Sequence, residues 1–392
     1  MLGCVAVLLT LLAGSVHAQA VPTATTRAEV SVYTAPEFLS GTIETIPAGS
    51  VVNILGRNEF AQWILVQDSA DAVSQGWVPA GSMILNESTS LWELPTIQAE
   101  VEDPLSPDFS TLPAADSSDI AEYQRLLAAP LLDNMDTEQV RAIFAHGQDL
   151  GMRADVFTRV GDSNTTSGGF LNPIGMRGNF CDFGAYSYLQ DTVSFFSVSP
   201  QEGEPNSFDS FSVAAVNGLS TAAALDPFWA DTQVCRSNES PLACEYRLVH
   251  PSVAVIMLGL MDVEYFEADE SRDYMRDIMD FSIEQGVIPV WTTFPVLADN
   301  EPDHPSWERS LYFNAAILDI VEEYQTPLIN LWAAVQPLPN DGIGPDRIHL
   351  AQSLGEFCAF TGAEQRVGGT LRNLLTLQAL DLLRRNVLAA AP

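Results

Sequence analysis

The chain has 392 residues, 47% of them hydrophobic and 9% aromatic, which is ample for a buried core and excludes a disordered polypeptide. A formal charge of −34 excludes an electrostatic binder of nucleic acid or of anionic membrane, because like charge repels both. Every cationic side chain is an arginine, and the acidity serves either solubility in a salty or acidic setting or a cationic partner.

Residues 1–18 carry no Asp, Glu, Lys or Arg, run apolar from Val5 to Leu12, and end in Val16, His17, Ala18, a small-residue cleavage pattern. They read as a signal peptide; its n-region lacks a positive charge, so a misplaced start or an uncleaved anchor are the alternatives. No later stretch is long and apolar enough to span a bilayer. The expected destination is secreted or cell-surface, with no stable membrane insertion once the leader is removed.

From 27 to 87 short alternating strands are split by turn residues: Val30 to Tyr33, Val51 to Leu55, Trp63 to Val66 and Gly76 to Val78. Strands at this spacing predict a small all-β barrel. With Ile46, Pro47, Ala48, Gly49 before a strand, a central Trp63 and a closing Gly76, Trp77, Val78, the stretch resembles a bacterial Src-homology-3 (SH3)-like domain. That resemblance implies a possible cell-wall ligand, although Trp63 suits core packing better than contact. Residues 88–135 have the acidic, Pro- and Ser-containing composition of a linker, with a helix starting near Asp119. A second helix is expected from an N-cap at Asp136 to about Leu150.

Beyond Asp155, apolar strands alternate with longer helical stretches. Strands are expected at Val156 to Val160, Phe211 to Val216, Val253 to Leu258, Val287 to Trp291 and Pro327 to Leu331. Helices are expected over Ser271 to Glu284 and Trp307 to Tyr324, where apolar residues recur at helical spacing. This alternation predicts an α/β fold, a parallel sheet covered on both faces, over 136–392. In such sheets ligands gather at the carboxyl ends of the strands, where Ser163, Gly218 and Gly259 fall.

Cys4 lies in the leader; Cys181, Cys235, Cys244 and Cys358 remain. An even number in an exported chain suggests disulfides. Cys235 with Cys244 would close a short polar loop, and Cys181 with Cys358 would be the remaining pair. Neither CxxC nor HExxH occurs, so no metal and no cofactor is expected.

The chemistry is carried by Gly161, Asp162, Ser163 after the first of these strands and by Asp346 and His349 past the last one. A serine near a histidine, itself oriented by an acid, is what makes a hydroxyl nucleophilic. Taken in order, these blocks resemble the SGNH (GDSL-type) hydrolase family, from about Val156 to the end. The resemblance implies a flavodoxin-like three-layer fold, with Ser163 as nucleophile, His349 as base and Asp346 holding the imidazole tautomer. It also implies an oxyanion hole from the backbone N–H groups of Ser163 and Gly218.

One block departs from the family. Where it expects Gly, any residue, Asn, Asp, the chain has Gly259, Leu260, Met261, Asp262. A thioether cannot donate a hydrogen bond, and losing one oxyanion donor costs about 10²–10³ in kcat. Asn164 and Asn217 are the candidates to supply a substitute amide. Arg159, Asp162 and Asp262 either shape the site or form satisfied structural contacts, and His250 and His304 have no partner spacing that suggests catalysis. The expected function is an exported serine esterase acting on a small ester or acylated carbohydrate. The alternative is a degenerate, inactive binding or scaffold protein, motivated by Met261.

Overall fold

The computed structural model describes residues 22–27, 29–36, 42–58, 63–68, 75–86, 94–97, 117–176, 181–298 and 304–389. The expected leader, 1–18, and most of the expected linker lie outside the described residues. Seven strands come first: β1 (Thr23–Thr26), β2 (Val30–Tyr33), β3 (Thr42–Ile46), β4 (Val51–Arg57), β5 (Trp63–Asp68), β6 (Gln75–Pro79) and β7 (Met83–Leu85). They form one antiparallel sheet in the order β3-β2-β6-β5-β4-β1-β7. The expected barrel is thus met as an antiparallel sheet, and β1 precedes the boundary expected at residue 27. Alternation buries Val30, Val32, Val52 and Ile54, and Trp63 packs edge-on against Tyr33 in that core, 5.4 Å between ring centroids.

The second sheet contains β8 (Leu132–Asp133), β9 (Arg153–Gly161), β10 (Pro251–Met257), β11 (Ile288–Thr292) and β12 (Leu328–Ile329) in the order β8-β12-β11-β10-β9. β9 to β12 run parallel, and β8 pairs antiparallel to β12 at one edge. Every residue of β10 and β11 is buried, as a sheet covered on both faces requires. The expected strand over 211–216 is reduced to a parallel bridge between Ala215 and Gly161. Its one polar residue bonds elsewhere: Ser212 Oγ donates to the Arg159 carbonyl at 2.7 Å, while Phe211 is exposed. Counting this bridge as a strand position, the parallel order is 2-1-3-4-5, the flavodoxin-like order, whose switch point falls between β9 and β10.

Residues 117–135, assigned by composition to the linker, are part of this unit. Helix α1 (Ser117–Ala128) sets Tyr123 edge-on against Trp332 at 5.1 Å, and its Asp119 accepts from Tyr312 Oη at 2.8 Å. Buried Asn330 donates from Nδ2 to the Leu126 and Ala129 carbonyls, at 2.8 and 3.2 Å, at the end of α1. The N-cap of α2 (Glu138–Leu150) is Thr137, one residue later than expected; its hydroxyl accepts from Val140 N at 3.2 Å. Two disulfides, Cys181–Cys358 and Cys235–Cys244, are present, and among the described residues no helix is long and apolar enough to cross a membrane.

Glu364 is 4% exposed near the cations Arg27 and Arg366. One oxygen accepts from Gly362 N at 2.9 Å, and among the described residues the other meets no donor. Burial pushes this carboxyl up to about 7, against the pull of the Gly362 N–H and the two arginines. The unfolded chain ionises first, so this group's stabilisation is complete below pH 4.5 and is lost as pH rises through 7. Glu364→Gln is expected to match wild type at pH 4.5 and to be more stable at pH 8, by up to about 3 kcal/mol. Thermal unfolding of both proteins across that range checks it.

Candidate active site

The site is built where β9 ends. Gly161 is its last residue, and a Cβ there would lie 2.2 Å from Thr165 Oγ1 and 2.6 Å from the Met257 carbonyl, so only glycine lets the chain turn so tightly. Asp162 then caps the four-residue helix α3 (Ser163–Thr166), its Oδ1 accepting from Asn164 N at 2.9 Å. Burial pushes the Asp162 carboxyl up to about 6, opposed by that N–H and by the charges of Arg372 and His349.

Asp346, Arg347, Ile348 and His349 form a tight turn after β12. Asp346 Oδ1 accepts from Ile348 N and His349 N at 3.2 and 3.0 Å, and Arg347 adopts a left-handed φ of 64° between them. The other carboxylate oxygen lies 2.7 Å from His349 Nδ1, and His349 Nε2 lies 2.7 Å from Ser163 Oγ. With Nδ1–H donating to the carboxylate, Nε2 is left to accept the serine proton. Burial alone would raise the Asp346 carboxyl, but the His349 backbone and ring bonds outweigh it and hold it below its ordinary value. The lowered value favours the ionised carboxylate, which can accept from Nδ1–H.

The bridge at Ala215 brings the Gly218 turn to Ser163. Gly161 N donates to Ala214 O at 3.0 Å and Val216 N to Gly161 O at 2.9 Å. Gly218 follows with φ of 76°, and neither its amide nor that of Ser163 donates a hydrogen bond among the described residues. Thr166 Oγ1 donates to Asn217 Oδ1 at 2.5 Å, tying this turn to α3.

Met261 is half-buried and sits at the start of α8 (Asp262–Tyr265). Asp262 beside it is fully buried and turned away from solvent: it accepts from Thr221 N (3.2 Å), the Thr221 hydroxyl and Ser271 Oγ (3.2 Å). Burial raises its carboxyl, and those donors work against the rise. It joins α8 to α6 (Thr221–Leu225) and α9 (Ala268–Glu284), a structural contact. Arg159 is structural as well: its guanidinium donates to Phe170 O (2.9 Å), Asn172 Oδ1 (2.6 Å) and the Ser210 carbonyl.

Of the two candidate substitute amides, Asn164 is buried and its Oδ1 accepts from Leu350 N at 2.9 Å, while Asn217 is exposed with its Oδ1 held by Thr166. Sequence reasoning missed Arg372 on α12 (Gly368–Leu383), whose Nη1 donates to Asn164 O at 2.8 Å and Nη2 to Thr165 Oγ1 at 3.0 Å. Nothing in the spacing of α12 marks it, because that helix is buried on every side. Among the described residues no group of three or more His, Cys, Asp or Glu side chains is arranged to hold a metal ion.

No protein-family model and no curated protein matches the chain. Among solved structures it is similar to the psychrotrophic esterase EstA from a Pseudoalteromonas species, at 12% identity and TM-score 0.35 over 59% of this chain and 100% of that one. It is also similar to an acetylxylan esterase from Geobacillus stearothermophilus, at 15% identity and TM-score 0.33 over 57% and 93% of the two chains. A GDSL-like lipase from Bacteroides thetaiotaomicron aligns over 62% of this chain and 98% of its own, at 11% identity and TM-score 0.34.

Because Asp262 satisfies donors from two other helices, Asp262→Ala leaves them unpaired in a dry interior and is expected to cost about 3 kcal/mol of stability. Urea unfolding measures this; a loss below about 1 kcal/mol would refute the structural assignment of this carboxylate.

Proposed function

We propose that this chain is an exported serine esterase of SGNH type, acting on an acyl or acetyl ester. The observation that carries the reading is the continuous chain of hydrogen bonds from Ser163 Oγ through His349 to Asp346, 2.7 Å at each step. Ser163 Oγ attacks the ester carbonyl while its proton passes to His349 Nε2. The tetrahedral oxyanion is met by the Ser163 and Gly218 N–H groups, and as it collapses His349 gives the proton to the leaving alcohol. Water then attacks the acyl-enzyme with His349 again as base, releasing the acid and restoring the serine. Met261 adds no donor, so turnover is slower than with an amide at that position, by about 10²–10³.

The rival reading, an inactive scaffold or binding protein on the same fold, draws on Met261. A scaffold has no need of a serine held within proton-transfer distance of an oriented imidazole, and this geometry favours the enzyme. The two disulfides fit an extracytoplasmic destination. The antiparallel sheet at the N-terminus is assigned as an SH3-like module that holds the enzyme on a wall or extracellular polymer, which makes an acylated carbohydrate the natural substrate. The hydrolase unit then begins at α1 rather than at residue 136.

Hydrolysis of p-nitrophenyl acetate tests the mechanism. Ser163→Ala and His349→Ala are each expected to lower kcat/KM by at least about 10³-fold. Met261→Asn is expected to raise kcat, by up to about 10³-fold. Equal rates for wild type and Ser163→Ala would leave only the scaffold reading.

A further inference from the structure

We propose that Asn164 is a positioning residue: its side chain sets the distance between Ser163 and His349 and takes no part in the oxyanion hole. The inference rests on the serine-esterase reading of the site. Asn164 follows Ser163 and Leu350 follows His349, so the bond from Leu350 N to Asn164 Oδ1 (2.9 Å) runs beside the bond between Ser163 Oγ and His349 Nε2 (2.7 Å). Two neighbouring residues of α3 thus grip two neighbouring residues of the histidine loop. One bond does chemistry and the other holds the distance.

The two bonds differ in environment. The His349 side chain is 40% exposed, so water competes for its partners. Asn164 is 6% exposed and Leu350 is 4% exposed, so the bond between them has no such competitor and is the stronger geometric constraint. The Asn164 backbone from which that side chain projects is fixed, because its N–H is held by Asp162 Oδ1 and its carbonyl by Arg372 Nη1. Arg347 N to Gly344 O, Gly344 N to His349 O and Ala351 N to Gly342 O fix the loop's internal shape, and Gly369 N to Ala351 O ties it to α12. They do not tie it to α3. An error of about 1 Å in the Ser–His relation can cost about 10²-fold in rate.

The test compares wild type, Ser163→Ala, Asn164→Ala and Asn164→Asp, the last of which keeps an acceptor oxygen. Each is treated with diisopropyl fluorophosphate: the Ser163 Oγ–P bond forms, the P–F bond breaks, fluoride leaves and the serine proton passes to His349. Asn164→Ala is expected to label about 10²-fold more slowly and to lose a similar factor in kcat on p-nitrophenyl acetate, with KM changed less than about threefold. Asn164→Asp is expected to recover to within about tenfold of wild type. Labelling of Asn164→Ala at the wild-type rate, or an Asn164→Asp as slow as Asn164→Ala, would overturn the proposal.

A wild type that labels but hydrolyses no ester sinks the esterase reading and leaves the positioning role to the labelling result. Where Asn164→Ala does not fold, or wild type does not label, amide hydrogen exchange of wild type decides. The Leu350 N–H is expected to be protected like the amides of α12, and exchange at the rate of an open loop overturns the proposal.

Discussion

The site stands on a buried cation. Arg372 is 1% exposed, and among the described residues it forms no ion pair; its guanidinium lies 3.6 Å from the centre of the Phe170 ring and donates to Asn164 O and Thr165 Oγ1. Taking such a charge out of water is expensive, and burial pulls its pKa down to about 9 although Asp162 opposes the fall. The charge remains because two oxygens and an aromatic face replace its water. Those oxygens belong to the turn that carries Ser163. The protein therefore cannot relax this turn without leaving a buried guanidinium unsolvated, which makes the backbone at Ser163 stiff.

Neighbours of Arg372 on the same helix extend the arrangement to the other loops. Asn373 accepts from Leu171 N at 2.9 Å and donates to Gly169 O and Phe357 O, both at 2.8 Å. Its bond to Leu171 helps hold that residue at a left-handed φ of 64°, a conformation a leucine does not adopt unaided. Thr370 Oγ1 donates to Glu356 O at 2.8 Å, and Gly369 N donates to Ala351 O at 3.0 Å, two residues past His349. The Cys181–Cys358 disulfide ties this second loop to the segment that follows the first. Loops from opposite ends of the sequence thus meet over one helix, and the serine and histidine they carry meet with them.

What could be read from the sequence follows where burial is one-sided. The helix over Trp307–Tyr324 was legible to the residue because its apolar positions keep helical spacing, and Ser306 caps it by accepting from Arg309 N at 3.3 Å. β9, β10 and β11 were legible as apolar runs between helices. α12 was not, because a helix buried all round has no polar face to set its period, and its Arg372 and Asn373 look like surface residues until their partners are known. The short strand before Gly218 failed for the converse reason: its one serine, Ser212, donates to Arg159 O and accepts from the Ala214 amide, leaving one bridge of a ladder. The order and residue types of Ser163, Asp346 and His349 marked them as a set, and the fold brings the three side chains into one hydrogen-bonded chain. The partner of Asn164 was not legible, since spacing does not show that its amide oxygen accepts from a backbone N–H 186 positions away.

Met261 is best understood in this frame. On the proposed esterase reading an amide at that position would add a donor to the oxyanion hole, and the loop that bears it is held by the next residue, Asp262, through Thr221 and Ser271. Shape and donor are therefore separable here, and loss of the donor does not loosen the loop. The same separation runs through α3, where Ser163 faces His349 while Asn164, Thr165 and Thr166 face Leu350, Arg372 and Asn217. A partly exposed hydrogen-bonded pair such as Ser163 and His349 has little hold on its own geometry in water, so that geometry must be imposed by the adjacent side chains, most firmly by those that water does not reach.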